Sequence, residues 1–151
     1  MKLENSLNMK VKGGTITKDD IDNLTTKHIE CIIFDLTDNL AAKETDKAIE
    51  ILDNLIYRKE PIPKILVTLY NHFKKLYFCS IAMRTNQDVA KALNLSPKQM
   101  FLVSKYKKQA NYFKTNDLRQ ILEDLALLDY NYKIGEIDVE IGLKSILCVY
   151  C

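Results

Sequence analysis

The stretch "IFDLTDNLAAKETDKAIEILDNLI", residues 33–56, carries two helical patterns that meet at Thr45 with almost no residues to spare for a turn. Upstream, CIIFDLTDNLAAK presents Ile32, Ile33, Leu36 and Leu40 at steps of three and four, the spacing that gathers apolar side chains on one side of a helix. Downstream, Thr45 and Asp46 restart the chain, and Ala48, Ile49, Leu52, Leu55 and Ile56 repeat the pattern. Two amphipathic helices joined this tightly fold back on each other, so the stretch reads as a helical hairpin. Its residues go into packing and none of them suggests chemistry.

The same reading extends to both ends of the chain. MKLENSLNMKVKGG looks like the frayed end of a helix stopped by Gly13 and Gly14, and it begins abruptly, as a chain cut from something larger would. Thr17 is placed to cap a short helix with Asp19 and Asp20 in its first turn, where acidic groups favour the dipole. KEPIPK ends the hairpin, because the residue before a proline avoids the α region, and Pro61 or Pro63 suits the first turn of the next helix. From about Ile62 to Arg84 that helix bears one stripe of Ile65, Leu69, Phe73, Leu76 and Tyr77 and a second side of Val67, Phe78 and Ile81, which predicts burial on two sides. A short helix, NQDVAKALN, leads through LSPKQ into a long one ending near Lys114, with Met100, Val103 and Tyr106 among its apolar positions. TNDLRQILEDLALLDYNYK opens at a Thr115 or Asn116 cap and carries Leu118, Ile121, Leu122, Leu125 and Leu128. Gly135 breaks it. The last helix has Val139, Leu143, Ile146 and Tyr150 on one stripe and Ile137, Ile141 and Cys148 on another. With four glycines, three prolines, no fixed-period repeat and no confident strand, the fold class is all-α, a compact bundle of about six to eight helices.

Composition agrees. A chain of 151 residues with 47% apolar residues can build one core without disulfides or metal. Its 22 basic and 20 acidic side chains are spread along the chain, so the charge of +2 implies no strong polyanion-binding tail; nucleic-acid contact is neither demanded nor excluded. Cys31, Cys79, Cys148 and Cys151 are too sparse for a disulfide framework and read as free buried thiols of a reducing compartment, the cytoplasm. No apolar run reaches the roughly 18 residues of a membrane span, and no secretory signal opens the chain.

The search for chemistry assigns no catalytic residue, cofactor or metal ligand. No GxxxxGK[ST] run is present to cradle phosphates. His28 and His72 lie in no recognisable triad motif, and His72 with Cys79, seven residues apart on one helical stripe, makes only two ligands. CVYC, residues 148–151, is formally a CxxC, but it closes the chain at the negative end of a helix and reads as a buried Cys148 beside a terminal Cys151. Adjacent carboxylates, Asp19 with Asp20 and Glu123 with Asp124, point to different faces and read as solvated surface. Two features admit a functional reading. NQDVAKALNLSPKQMFLVSKYKKQA has the outline of a helix-turn-helix with Lys105, Lys107 and Lys108 on its second helix, yet Ser96, Pro97, Lys98 and Gln99 offer little for base reading beyond Gln99. The surplus apolar surface of the Ile62 to Arg84 helix and the last helix fits a core or a partner interface alike.

Residues 32 to 77, from the FDLTD run through AIEILDNLI to the proline-led ILVTLYNHFKKLY, resemble the delta subunit of bacterial DNA polymerase III where its middle domain gives way to its C-terminal collar domain. DVAKALNLSP and LEDLALLDYNYKIGEIDVEIGLKSIL are similar to later segments of that family, so the resemblance runs from about Thr17 to the end. It implies a clamp-loader collar over residues 17–151, residues 1–16 as the tail of a lid-like preceding domain, and a fragment of a longer subunit. It implies other clamp-loader subunits as partners through the collar, DNA met indirectly through the assembled complex, and the sliding clamp met only through an N-terminal domain with no counterpart here. The domain is then not an enzyme by itself, although its parent subunit belongs to a DNA-directed DNA polymerase holoenzyme, a nucleotidyltransferase. Val67, Phe78, Ile81, Leu143, Ile146 and Tyr150 are the expected partner-facing residues. The alternative is a helix-turn-helix DNA-binding regulator.

Overall fold

The computed structural model describes residues 17–135 and 138–150, and every regular element among them is helical. The order is α1 (Lys18–Ala41), α2 (Thr45–Tyr57), α3 (Ile62–Arg84), α4 (Val89–Ala92), a 3-10 turn (Pro97–Gln99), α5 (Leu102–Ala110), α6 (Thr115–Lys133) and α7 (Val139–Val149). The expected tail at residues 1–16 lies outside the described residues. The hairpin of α1 and α2 forms as the sequence predicts. The short helix and the second helix expected before Thr45 are one, since no glycine or proline interrupts residues 17–41 and Ile29, Ile33, Leu36 and Leu40 form a single buried row.

The long helix expected to end near Lys114 is broken instead. Pro97 starts a 3-10 turn, α5 stops at Ala110, and Asn111–Lys114 redirect the chain into α6. That detour lets both α5 and α6 pack on α3, with Tyr106 and Ala110 buried and the Phe113 ring edge-on to Phe73 at 6.0 Å between centroids. Thr115 does not cap α6 through its side chain; its hydroxyl shares a hydrogen bond with Ser80 of α3.

Few glycines leave the chain to turn with other residues. Lys43, Lys59, Asn86 and Asn94 each adopt a left-handed backbone, φ 64, 60, 55 and 54°, just past a helix end. The N–H of the following residue then reaches back to a carbonyl five residues earlier, as from Glu44 to Asn39 at 2.8 Å and from Gln87 to Ala82 at 2.9 Å. These are Schellman closures, which satisfy carbonyls that a helix end leaves orphaned. Gly135, φ 75°, ends α6 in the same region of backbone space.

At the centre lies α3, flanked by α1, α4, α5 and α6, with Ile65, Leu69, Phe73 and Leu76 fully buried. Burying each such side chain contributes about 1.5–3 kcal/mol, so α3 organises the bundle. Helix α7 lies on α6, where Gly142 meets Leu128 closely enough that an added Cβ would stand 2.4 Å from Leu128 Cδ1. It also reaches α2 through an ion pair of Lys144 Nζ with Asp53 Oδ1 at 2.7 Å.

Candidate functional site

Packing on α3 comes from α1 and α5 on one side and α6 on another, and this leaves a strip uncovered. Val67 is 56% and Phe78 40% exposed, while Ile81 is half-buried, so the expectation that α3 is buried on two sides is corrected: its second apolar side faces solvent. The residues expected on α7 fare differently. Leu143 is fully buried, because α7 turns it inward against the core; as a partner-facing residue it is corrected to a core residue. Ile146 is half-buried and packs against the same core. Tyr150 is half-buried too, and its hydroxyl donates to Asp124 Oδ2 at 2.7 Å, tying the end of α7 to α6; this acceptor and partial burial raise its pKa to about 12.

A second apolar strip lies on α6 and α7. Leu127, Tyr130 and Ile134 are 59%, 61% and 49% exposed at a spacing of three and four, and Ile141 of α7 is 64% exposed. The spacing that marks Leu118, Ile121, Leu125 and Leu128 as core is the same, so the signal for this strip was a second apolar row on a helix whose first row already accounted for its burial. Val149 is also exposed.

Inside the bundle one polar group joins three helices. Gln109 of α5 is buried; its amide donates to Phe34 O at 3.2 Å and to Asp38 Oδ1, both on α1, and its Oε1 faces His72 Nε2 of α3 at 2.8 Å. With both amide hydrogens donated to oxygens, Oε1 accepts from His72, which assigns the ring proton to Nε2. Burial, reinforced by the Lys75 ammonium, outweighs that hydrogen bond and the Asp38 charge and lowers the His72 pKa to about 4. The neutral ring sits edge-on to Phe34 at 4.7 Å.

Reactive groups do not converge around this junction. Cys79 is buried and its thiol pKa raised by that burial, whereas Cys31 and Cys148 are exposed, which corrects the expectation of buried thiols. Cys151 lies outside the described residues. His28 is exposed on α1. Among the described residues no group of three or more His, Cys, Asp or Glu could hold a metal ion, and no helix is long and apolar enough to cross a membrane. The helix-turn-helix outline also changes in space. Its first helix is the single turn α4, and Gln99 Oε1 accepts the Ser96 N–H at 3.1 Å, closing a capping box that occupies the residue best suited to read a base.

This arrangement of helices matches a known one. Residues 30–150 fit the family described as DNA polymerase III delta subunit, C-terminal domain. The chain belongs to this family. The C-terminal domain of a delta-type clamp-loader component, rather than a helix-turn-helix regulator, is therefore the setting in which its surfaces are to be understood. The DNA polymerase III subunit delta of Bacillus subtilis (strain 168) is 29% identical over 136 residues, which are 87% of this chain and 38% of that relative. The solved Bacillus subtilis DNA clamp loader delta protein (YqeN) has the same fold, with a TM-score of 0.73 at 24% identity over 99% of this chain and 44% of that one. The chain thus spans about two fifths of the length of each.

Proposed function

We propose that residues 17–151 form the collar-type assembly domain of a clamp-loader delta subunit, which serves sliding-clamp loading in DNA replication by holding subunits together rather than by catalysis. Residues 1–16 are then the tail of a preceding domain, the partners are other clamp-loader subunits, and the setting is the cytoplasm. The sliding clamp is met through a part of the delta subunit that this stretch does not match, and the nucleotidyltransferase activity of the holoenzyme belongs to another of its subunits. The observation that carries the reading is the pair of uncovered apolar strips, Leu127, Tyr130 and Ile134 on α6 and Val67 with Phe78 on α3, in a domain of this family. Rows of large apolar side chains left in water on a domain that already fills its own core mark protein contacts.

Co-expression with the other clamp-loader subunits of the same source, followed by size exclusion, tests this. Leu127→Asp and Tyr130→Asp are expected to remove the chain from the complex while its helical circular dichroism is retained, and Val67→Asp reports the same for the α3 strip. Full co-elution of all three variants would overturn the assignment.

A further inference from the structure

Where the chain passes from α4 to α5 it leaves an open hollow of about 510 Å³, a size at which clefts take ligands. A turn shapes it. Asn94, with its left-handed backbone, lets the Leu95 N–H donate to Ala90 O at 3.0 Å, and the Ser96–Gln99 capping box then fixes the 3-10 turn that starts at Pro97. Leu95, Pro97 and Met100 are thereby set around one opening, beside Asp88, Lys91 and Asn94. Met100 is 50% exposed, and Phe101, next in the chain, 66%. Neither belongs to the core or to the apolar strips of α3 and α6.

Charge around the hollow is one-sided. From Val89 to Asn116 the chain carries six lysines and no acid. Lys91, Lys98 and Lys105 form no ion pair with any described residue. Asp88, the acid at the edge, is engaged, since its Oδ1 accepts the Ala90 N–H at 3.0 Å as the cap of α4. On the α5 side Lys105 Nζ stands 5.9 Å from the exposed Phe101 ring, and Lys98 lies within the 3-10 turn itself. The Asn94 amide makes no side-chain hydrogen bond with any described residue. An apolar opening bordered by unpaired ammonium groups fits a ligand of the opposite pattern, apolar at one point and acidic beside it. A bare polyanion would gain nothing from Leu95, Pro97 and Met100, and a neutral apolar segment nothing from the lysines.

We propose that this hollow seats a short linear peptide of a partner protein, one large apolar side chain with acidic residues next to it. The apolar side chain enters between Leu95, Pro97 and Met100, the carboxylates lie on the α5 side against Lys98 and Lys105, away from Asp88, and the Asn94 amide meets the peptide backbone. The inference uses none of the residues of the assembly strips and is independent of that reading.

Fluorescence anisotropy of the whole chain with a labelled synthetic peptide, four acidic residues beside one phenylalanine, tests it. Replacing the peptide's phenylalanine by alanine should weaken binding about tenfold, and Met100→Ser in the chain about fivefold. Lys98→Gln with Lys105→Gln should weaken binding about fivefold at low salt and remove most of its salt dependence. Lys47→Gln with Lys133→Gln, far from the hollow in sequence, should change nothing, and circular dichroism should be the same for all variants. Equal binding of the phenylalanine and alanine peptides would overturn the proposal, because the surface would then take any polyanion. So would a peptide with glutamines for its acids binding as tightly, an unaltered Met100→Ser variant, or no binding at about 1 mM peptide, a concentration that detects even a weak contact.

Discussion

His72 is a basic group that folding keeps uncharged. Its neighbours are the Phe34 and Tyr106 rings, the Gln109 amide and, further off, Lys75 and Asp38, and burial among them lowers its pKa from the ordinary 6.5 to about 4. Because the folded pKa is the depressed one, the unfolded chain takes up a proton first as the pH falls through 6.5. The stability due to the neutral ring is whole above pH 6.5, declines between 6.5 and about 4, and is gone below. The full swing is about 3 kcal/mol, since each unit is worth about 1.4 kcal/mol. Urea denaturation of the wild type and of His72→Gln at closely spaced pH values should show a difference in stability that shrinks over that window. Parallel pH profiles would show that the ring is not held neutral. The sequence placed His72 and Cys79 on one helical stripe, which is where they lie, but it could not bring up Gln109, 37 residues away, because nothing local distinguishes an inward-facing glutamine in a lysine-rich helix from a solvated one.

At the scale of elements, the helices were legible and several of their ends were not. Apolar rows at steps of three and four located α2, α3, α6 and α7, since that spacing is dictated by the core each must cover. The stops at Lys43, Lys59, Asn86 and Asn94 were less visible, because lysine and asparagine enter the left-handed region under the pull of Schellman hydrogen bonds that no single residue type announces. A lysine side chain there is strained by roughly 1–2 kcal/mol, part of which glycine gives back as freedom in the unfolded chain. Lys43→Gly and Lys59→Gly should each stabilise the fold by about 0.5–1 kcal/mol in chemical denaturation; destabilisation would show that the lysine stems pack usefully. The crossing of α6 on α7 makes the opposite demand. Gly142→Ala should cost about 1–2 kcal/mol, because its methyl group must displace the buried Leu128. In a Leu128→Ala background the same change should gain up to about 1 kcal/mol from helix propensity. Equal effects in both backgrounds would mean that Leu128 is not the obstacle.

For the whole molecule, what the residues left undecided was the outside. An apolar side chain on a helix is as easily core as interface, and only the packing of the other helices separates Leu143, fully buried, from Val67, more than half exposed. Leu143→Asp should therefore abolish folding, by burying an unpaired charge. Val67→Asp should leave the melting curve within about 0.5 kcal/mol of wild type. A large loss on Val67→Asp would move that residue into the core and with it the α3 strip.

The central claim is that the bundle works by holding subunits together through its uncovered apolar strips. Light scattering gives the most direct test: the mass of the chain alone, then mixed with the C-terminal domains of the other clamp-loader subunits from the same source, with and without Leu127→Asp. The account predicts a mixed complex of defined stoichiometry that the substitution removes. A chain that keeps its own mass in every mixture would contradict it.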